Sequence, residues 1–385
     1  MDRVLVSAGE ASGDRYAAML VRQLGSLRPG LAFYGCAGPE MRNAGVEAVV
    51  RAEDLSVVGL MEVVAHIPRI WAKYRRLLKR AREDPPRLAI LTDSPDFNLR
   101  LAARLRRRGV PVVYLVAPQV WAWRKGRLKA MRRDLARLFC IFPFEEEFFR
   151  ARGLAAEYIG HPLAGEFRAT ATREEFFQAH RLPPDRPLVV LLPGSRRGEA
   201  MRHLPPLLDA VDLIQARKPA SFAWAAPAGF FTEVGKARAW PKFRERISGS
   251  SIQLIEGATW DALTHADLAL AASGTVTVEA ALAGTPMVTY YRVTGLSWLA
   301  GKFLVRVPFY SMVNLIAGRA VAPELMQNEV TGPRLAAEAM RLLGDGLARE
   351  RMREELRDVA ARLARREKPL QMAARRIEEE FLQER

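Results

Sequence analysis

Cysteine is scarce in this sequence: 385 residues contain two, Cys36 and Cys140. Two thiols at unrelated positions provide neither a disulfide framework nor a cluster of metal ligands, so we expect a protein of a reducing compartment. The five histidines likewise lack the spacing of metal ligands. We therefore expect no metal site.

Long apolar runs are also absent. No uncharged apolar stretch approaches the roughly 18 residues that a transmembrane helix needs. The sequence starts with Asp2 and Arg3 before a short strand-like run, which is not the layout of a signal peptide. We expect a soluble protein, or one attached to the surface of a membrane.

Two common nucleotide-binding motifs are missing. There is no G-x-x-x-x-G-K-[ST] loop, and no strict G-x-G-x-x-G follows the first predicted strand. These absences argue against an ATPase and weaken the case for a dehydrogenase.

Positive charge is abundant and unevenly distributed. The chain carries a formal net charge of +16, and residues 69–133 hold 19 Lys and Arg against 4 Asp and Glu. Such a block indicates a polyanionic partner, either nucleic acid or an anionic membrane. Solvated helix faces explain it equally well before other features are considered.

Short β-rich runs alternate with helical patterns in two series, separated by the proline-rich stretch "HRLPPDRP". Parallel strands need long crossovers, so this alternation predicts doubly wound parallel sheets. We predict an α/β protein of two Rossmann-like domains that face each other across a cleft. The first comprises residues 1–165, joined by part of the C-terminal helix 366–385, and the second comprises residues 166–365.

The turn in "LLPGSRRGE" is a candidate phosphate site. It places Gly194, Ser195 and Arg196 directly after a buried-looking strand. Backbone N–H groups and a guanidinium at this position suit a diphosphate whose negative charge grows as it leaves. An ordinary strand-to-helix turn capped by the serine is the alternative.

A second candidate turn lies in "ALAASGTVTVEAALAG". Ser273, Gly274 and Thr275 stand where a strand gives way to an Ala-rich helix, whose first N–H groups are free to bind an anion. Glu279, one turn further on, suits the two hydroxyls of a ribose. Capping of the helix would explain Glu279 alone, but the two turns together favour a nucleotide diphosphate.

Acidic residues mark two turns of the first half. "SAGEASGD" holds Glu10 and Asp14 between the first strand and the first helix, and "LTDSPDFN" ends a strand with Asp93 and Asp96. A carboxylate at a strand end could remove a proton from an attacking hydroxyl. Capping of the following helix by Asp93 and Asp96 is an equally good interpretation.

Nine segments together resemble one family, the lipid-A-disaccharide synthases, and occur in that family's order over nearly the whole chain. They are "SAGEASGD", "DSPDFN", "APQVWAWR", "FPFE", "GHPL", "LLPGSR", "ASGTVTVE", "SWLAGKFLVRVPFYSMVNLIAG" and "PELMQ". The resemblance implies a GT-B glycosyltransferase that transfers 2,3-diacylglucosamine from UDP-2,3-diacylglucosamine to 2,3-diacylglucosamine 1-phosphate (lipid X). The implied products are the β-1,6 lipid A disaccharide 1-phosphate and UDP, formed with inversion and without an essential metal or other cofactor.

Carried over residue by residue, the resemblance also implies the site. Asp96 would be the general base on the acceptor hydroxyl, and Glu10 a second acidic group near the acceptor. Arg196 would bind the diphosphate. The other donor-binding positions that it implies are Gly194, Ser195, Ser273, Gly274, Thr275, Glu279, Asn314, Glu324 and Gln327.

The implied substrates are anionic amphiphiles anchored in a membrane, which gives the basic block a role. We expect peripheral attachment to the cytoplasmic face of the inner membrane, through the predicted helix 66–82 or through residues 296–310. The apolar stripe of that helix could instead pack on the sheet. No nucleic acid partner is expected, and a homodimer is left open.

Two other functions are kept as alternatives. A UDP-sugar epimerase of similar fold would also bind UDP, but would act on a soluble sugar. A non-catalytic nucleic-acid-binding protein would need aromatic stacking residues, and the sequence offers one cluster, Trp121 and Trp123 beside Arg124 and Lys125.

Overall fold

The computed structural model describes residues 2–54, 60–122, 124–250, 252–295 and 307–383, and for residues 60–67 and 125 the backbone alone. The chain divides into two compact units. One comprises Met1–Gly165 with Leu363–Arg385, and the other comprises Glu166–Arg362.

Each unit is built on one parallel sheet. In the first unit the strand order is β3-β2-β1-β4-β5-β6-β7, and in the second it is β10-β9-β8-β11-β12-β13. The strands are β1 Arg3–Ser7, β2 Ala32–Ala37, β3 Glu47–Arg51, β4 Leu88–Thr92, β5 Val112–Leu115, β6 Arg137–Cys140, β7 Ala156–Tyr158, β8 Leu188–Leu192, β9 Ser221–Ala226, β10 Gln253–Glu256, β11 Leu268–Ala272, β12 Met287–Tyr291 and β13 Glu324–Met326.

Helices connect the strands, and a C-terminal pair completes the chain. They are α1 Ala11–Leu27, α2 Pro39–Asn43, α3 Leu60–Glu83, α4 Pro95–Arg106, α5 Leu128–Asp134, α6 Pro143–Arg150, α7 Arg173–Ala179, α8 Arg197–Gln215, α9 Phe230–Gly235, α10 Trp240–Gly249, α11 Thr259–His265, α12 Thr275–Ala283, α13 Met312–Ala317, α14 Gly332–Gly344, α15 Gly346–Leu363 and α16 Pro369–Ile377. A π-helical turn, Glu378–Leu382, follows α16.

The central strands are apolar and buried along their whole length. All five residues of β4, β8 and β11 are buried, as expected for parallel strands that helices cover on both faces. The predicted doubly wound α/β architecture is confirmed in each unit.

Each sheet has one switch point, which lies between the two neighbouring strands from which the chain continues toward opposite edges of the sheet. In the first unit it lies between β1 and β4, whose ends are neighbours: Ser7 pairs with Leu91. In the second unit it lies between β8 and β11, where Leu192 pairs with Ala271. Ligands of open α/β sheets bind beyond the carboxyl ends of strands at such points, so the four turns singled out above lie at the positions expected of sites.

The basic helix predicted at 66–82 lies within α3. Tyr74, Leu77 and Ala81 of its apolar stripe are buried, so this part of the stripe packs within the protein. Trp71 is 43% exposed. Within the described residues, no helix is both long enough and apolar enough to span a bilayer.

Candidate active site

Asp93 holds the acidic turn that follows β1. Its Oδ1 accepts a hydrogen bond from the backbone N–H of Gly9 at 2.7 Å, and its Oδ2 accepts one from that of Glu10 at 3.0 Å. A Cβ on Gly13 would lie 1.7 Å from Oδ2 of Asp93, so the carboxylate fits because residue 13 is glycine. The Glu10 side chain, just before α1, is exposed.

The backbone at Asp93 is strained and held in place by its neighbours. Asp93 and Ser94 have φ values of 49° and 36°, a left-handed conformation that non-glycine residues seldom adopt. The buried Asn98 donates through Nδ2 to the carbonyl oxygens of Thr92 at 2.7 Å and Asp93 at 3.1 Å. The hydroxyl of Tyr114 also donates to the Asp93 carbonyl. These bonds fix the direction of the Asp93 side chain.

Burial raises the pKa of Asp93 to about 7; the amide hydrogen bonds from Gly9 and Glu10 oppose this shift, and the charge of Glu10 adds to it. A carboxylate with a pKa near neutrality is suited to accept a proton during a reaction. The sequence offered both Asp93 and Asp96 as candidates, and the family resemblance implied Asp96. The desolvation that distinguishes the two residues depends on packing, which the sequence does not show.

Asp96 lies in the first turn of α4, exposed and paired with two arginines. Its carboxylate oxygens accept hydrogen bonds from Nη1 of Arg124 at 3.0 and 2.9 Å, and Arg127 donates to Oδ1. Partial burial raises the pKa of Asp96, but the hydrogen bonds and charges of Arg127 and Arg124 outweigh this and lower it below its ordinary value. Asp96 is therefore a weaker base than Asp93.

Asp14, the second acidic residue of the turn, has a structural role. It is 2% exposed, and it accepts hydrogen bonds from the backbone N–H groups of Gly38 at 2.8 Å, Glu40 at 2.8 Å and Met41 at 3.3 Å. The carboxylate thereby caps α2, a helix distant in sequence, in addition to lying in the first turn of its own helix.

In the second unit, the turn after β8 keeps its polar groups at the surface. Ser195 and Arg196 are exposed, and Arg196 precedes the first residue of α8. Gly194 has a φ of 120°, and a Cβ there would lie 2.5 Å from Cδ of Glu199. Glycine is therefore required for this turn to close against α8.

The turn after β11 leads directly into α12, with Gly274 as the residue before the helix. Ser273 donates through Oγ to the carbonyl oxygen of Tyr310 at 2.7 Å, and Thr275 is exposed. The first turn of α12, all of it described, contains no acidic residue, so the positive end of the helix dipole faces outward without a carboxylate in that turn. Glu279 lies one turn along, partly buried.

A buried histidine, His203, links the segments that follow two strands of the second sheet. The ring nitrogens of His203 lie 2.7 Å from the carbonyl oxygen of Pro193 and 3.0 Å from the backbone nitrogen of Arg292. Its ring also packs edge-on against Tyr290. Burial lowers the pKa of His203, so a neutral ring connects the turn after β8 to the segment after β12.

Three positions implied as donor contacts are engaged with the protein's own backbone. Glu324 accepts hydrogen bonds from the backbone N–H groups of Tyr310 and Ser311, both at 2.9 Å. Asn314 is buried and donates to the carbonyl oxygen of Ala322 and to Oε1 of Glu324, both at 2.8 Å. Gln327 both accepts from the N–H of Val293 at 3.0 Å and donates to its carbonyl at 2.9 Å. These side chains fix the loops on either side of α13.

Trp121 contributes no exposed stacking surface. It is 8% exposed, and its Nε1 donates to Oε1 of Glu145 at 3.0 Å. Glu145 is fully buried and also accepts from the N–H groups of Ile141 at 3.3 Å and Phe142 at 3.2 Å. Half of the aromatic cluster that favoured nucleic acid is thus part of the core. Trp123, the other half, and residues 296–306 of a predicted membrane segment lie outside the described residues.

In the part of the chain that the structure describes, no group of three or more His, Cys, Asp or Glu side chains is arranged to hold a metal ion. The polar groups at both switch points are carboxylates, arginines, hydroxyls and helix N–H groups. Such groups can bind a diphosphate and move a proton.

The architecture is shared with solved structures of an epimerase and a glycosyltransferase. UDP-GlcNAc 2-epimerase from Neisseria meningitidis bound to UDP-GlcNAc superposes with a TM-score of 0.62 at 12% identity, covering 99% of each chain. The calicheamicin glycosyltransferase CalG4 gives a TM-score of 0.58 at 16% identity, covering 98% of each chain. At these identities the likeness shows the fold, which places the chain in the structural class of GT-B glycosyltransferases and related epimerases.

Sequence relatives define the family within that class. The model of the lipid-A-disaccharide synthetase family matches residues 4–377. A lipid-A-disaccharide synthase of Solibacter usitatus is 61% identical over 95% of this chain and 94% of its own length, and one of Anaeromyxobacter dehalogenans is 42% identical over 97% and 96%. The chain belongs to the lipid-A-disaccharide synthase family, and it is a glycosyltransferase of lipid A biosynthesis.

Proposed function

We propose that this chain transfers 2,3-diacylglucosamine from UDP-2,3-diacylglucosamine to the 6-hydroxyl of lipid X, releasing UDP and inverting the anomeric centre. In such a reaction the acceptor oxygen attacks the anomeric carbon as the bond to the diphosphate breaks. A base takes the proton of the acceptor hydroxyl. The pair of turns at the switch point of the second unit is the observation that carries this proposal.

The donor's diphosphate is assigned to the turns after β8 and β11. Arg196 provides a fixed positive charge, and Gly194, Ser195, Gly274 and Thr275 provide N–H and hydroxyl groups at two helix starts. Ser273 holds the second turn in place, because its N–H and hydroxyl donate to the carbonyl oxygens of Tyr290 and Tyr310. Both helix dipoles would favour the negative charge that develops on UDP as it leaves. Glu279 is assigned to the ribose hydroxyls.

Asn314, Glu324 and Gln327 are assigned an indirect role at the donor site. Their hydrogen bonds hold Ser311 at the start of α13 and Val293 after β12. They would therefore shape the walls around the donor through these loops.

For the acceptor, we propose Asp93 as the general base in place of Asp96, with Glu10 orienting the sugar. Asp93 is partly buried, its pKa is raised to about 7, and two backbone N–H groups fix its carboxylate. Asp96 is held by two guanidinium groups that lower its pKa. A carboxylate whose pKa is near the working pH is the more effective acceptor of a proton.

We also propose attachment to the cytoplasmic face of the inner membrane. Trp71 is exposed on α3, and the side chain of Arg75 lies over its ring at 5.6 Å. An exposed indole beside arginines suits the headgroup region of an anionic bilayer. Liposomes rich in anionic lipid should bind the protein and release it at high salt, and binding that is indifferent to lipid charge would contradict this assignment.

The enzymatic proposal is tested with purified protein, UDP-2,3-diacylglucosamine and lipid X in detergent micelles. Mass spectrometry should detect the disaccharide 1-phosphate. If folded protein yields no disaccharide, the proposal is wrong. If it instead yields an epimer of the UDP-sugar, the epimerase alternative is correct.

A further inference from the structure

We propose that Arg124 and Arg127 form the binding site for the phosphate monoester of the acceptor, and that Asp96 occupies this site when no acceptor is bound. The inference rests on the proposed function, because it takes the acceptor to be a sugar 1-phosphate. It assigns a role in acceptor specificity to the cluster of Arg124, Arg127 and Asp96, which takes no part in the proposed transfer step.

The cluster has the composition of an anion site. Two guanidinium groups converge on one carboxylate, with both oxygens of Asp96 engaged. Arginine's fixed fork of donors matches the geometry of carboxylate and phosphate oxygens alike. The two guanidinium groups carry two positive charges, against one negative charge on Asp96.

Exposure indicates that Asp96 is the exchangeable member. Its side chain is 69% exposed, whereas that of Arg127 is 15% exposed. A carboxylate in this position can rotate into water at little cost, while Arg127 stays enclosed. A phosphate monoester carries about −1.5 to −2 charges at neutral pH and three acceptor oxygens. It therefore interacts more strongly with two arginines than a single carboxylate does.

The position of the cluster fits the acceptor. Asp96, which the two arginines hold, lies three residues after Asp93, and Asp93 binds the backbone of the turn after β1. The arginine cluster and the acidic turn are therefore neighbours in the first unit. In a sugar 1-phosphate with a reactive 6-hydroxyl, carbon 1 and carbon 5 flank the ring oxygen, and carbon 6 is attached to carbon 5. A single sugar could then present its hydroxyl to Asp93 and its phosphate to the arginines.

The test compares lipid X with its dephosphorylated analogue, 2,3-diacylglucosamine, as acceptors for the wild type, Arg124→Gln and Arg127→Gln. Loss of a charge-assisted pair should raise the KM for lipid X by about tenfold to hundredfold. The kcat and the KM for the dephosphorylated acceptor should change little. The preference for the phosphorylated acceptor should therefore fall toward one in both variants.

Two further variants separate this role from others. Asp96→Asn removes the competing carboxylate, so its KM for lipid X should stay the same or fall, whereas a general base at this position would show as a collapse of kcat. Arg22→Gln is the matched control, because it removes an exposed arginine of the same unit that forms a 3.6 Å ion pair. It should leave both acceptors unaffected.

Equilibrium binding of the two acceptors in micelles, without donor, gives an independent result. Wild type should bind lipid X more tightly than 2,3-diacylglucosamine, and the arginine variants should not discriminate. Equal binding of both acceptors by wild type, or equal losses for both in the variants, would overturn the proposal. If wild type discriminates in binding but forms no disaccharide, the phosphate site stands and the proposed transferase reaction fails.

Discussion

Replacing Asp93 by Asn tests the assignment of the base most sharply. The substitution preserves the size of the side chain but removes its ability to take up a proton. General-base catalysis contributes about 10² to 10⁴ in rate, or roughly 3 to 5 kcal/mol of activation free energy. We expect kcat with UDP-2,3-diacylglucosamine and lipid X to fall by that factor.

The structure also sets the cost to stability. Asp93 accepts from two backbone N–H groups, at 2.7 and 3.0 Å, and an asparagine offers one oxygen, so its amide nitrogen must face the other N–H. Leaving that donor unpaired costs about 1 to 3 kcal/mol. Thermal unfolding of the variant should therefore shift modestly, and the loss of rate should persist well below its melting temperature.

The pH profile gives a second readout. A general base acts only when it is deprotonated, and burial raises the pKa of Asp93 to about 7. If Asp93 is the base, kcat/KM of the wild type should rise with pH through about 7 and then level off. Asp96→Asn is the matched control, because it makes the same substitution at an aspartate three positions further along the chain. It should keep kcat and the position of the acidic limb of the profile. Asp93→Asn with near wild-type kcat, or an unchanged acidic limb in that variant, would refute the reasoning.

Three other predictions concern the scaffold of the site. Gly194→Ala places a Cβ 2.5 Å from Cδ of Glu199 at a φ of 120°. It should therefore raise the KM for the donor and lower the free energy of unfolding by about 1 to 3 kcal/mol. Gly198→Ala is the control, because its Cβ meets open space, and it should change neither quantity. Burial raises the pKa of Glu145 to about 8. Between the ordinary pKa of a glutamate and this value, the folded state holds a proton that the unfolded state releases. The free energy of unfolding, measured by chemical denaturation, should therefore decline as pH rises toward 8. Glu145→Gln should flatten that decline, and an equally steep decline in the variant would contradict the assignment. Asp14→Ala leaves the N–H groups of Gly38, Glu40 and Met41, at the start of α2, without their acceptor. It should lower the free energy of unfolding by about 2 to 4 kcal/mol in urea titrations. A change below about 0.5 kcal/mol would show that water replaces the carboxylate.

Much of the fold is predictable because its central strands are unbroken apolar runs. β4, β8 and β11 are recognisable in "LAILT", "LVVLL" and "LALAA", each followed directly by a turn. The edge strands β7 and β13 escape such reasoning, because "AEY" and "ELM" are three residues long and contain a charged residue.

The chemistry of individual carboxylates depends on contacts between distant segments. Asp93 meets Gly9 across 84 positions of sequence, and Asp96 meets Arg124 across 28. No local pattern reveals that one aspartate is desolvated and the other is held by guanidinium groups. Motifs therefore located the acidic loop, while packing decides which member of it can act as a base.

The same limit applies to the three polar positions after β12. The family resemblance implies that Asn314, Glu324 and Gln327 lie near the donor, but it carries no information on whether they contact a ligand or the backbone. Their hydrogen bonds run to Ala322, Ser311 and Val293. Buried amides and carboxylates normally satisfy backbone groups in this way.

The stoichiometry and linkage of the product test the central claim most directly. Purified wild-type protein incubated with UDP-2,3-diacylglucosamine and lipid X should release one UDP for each disaccharide 1-phosphate formed, and NMR of the product should show a β-1,6 linkage. Release of UDP without a disaccharide, or a disaccharide with an α linkage, would contradict the proposed inverting transfer.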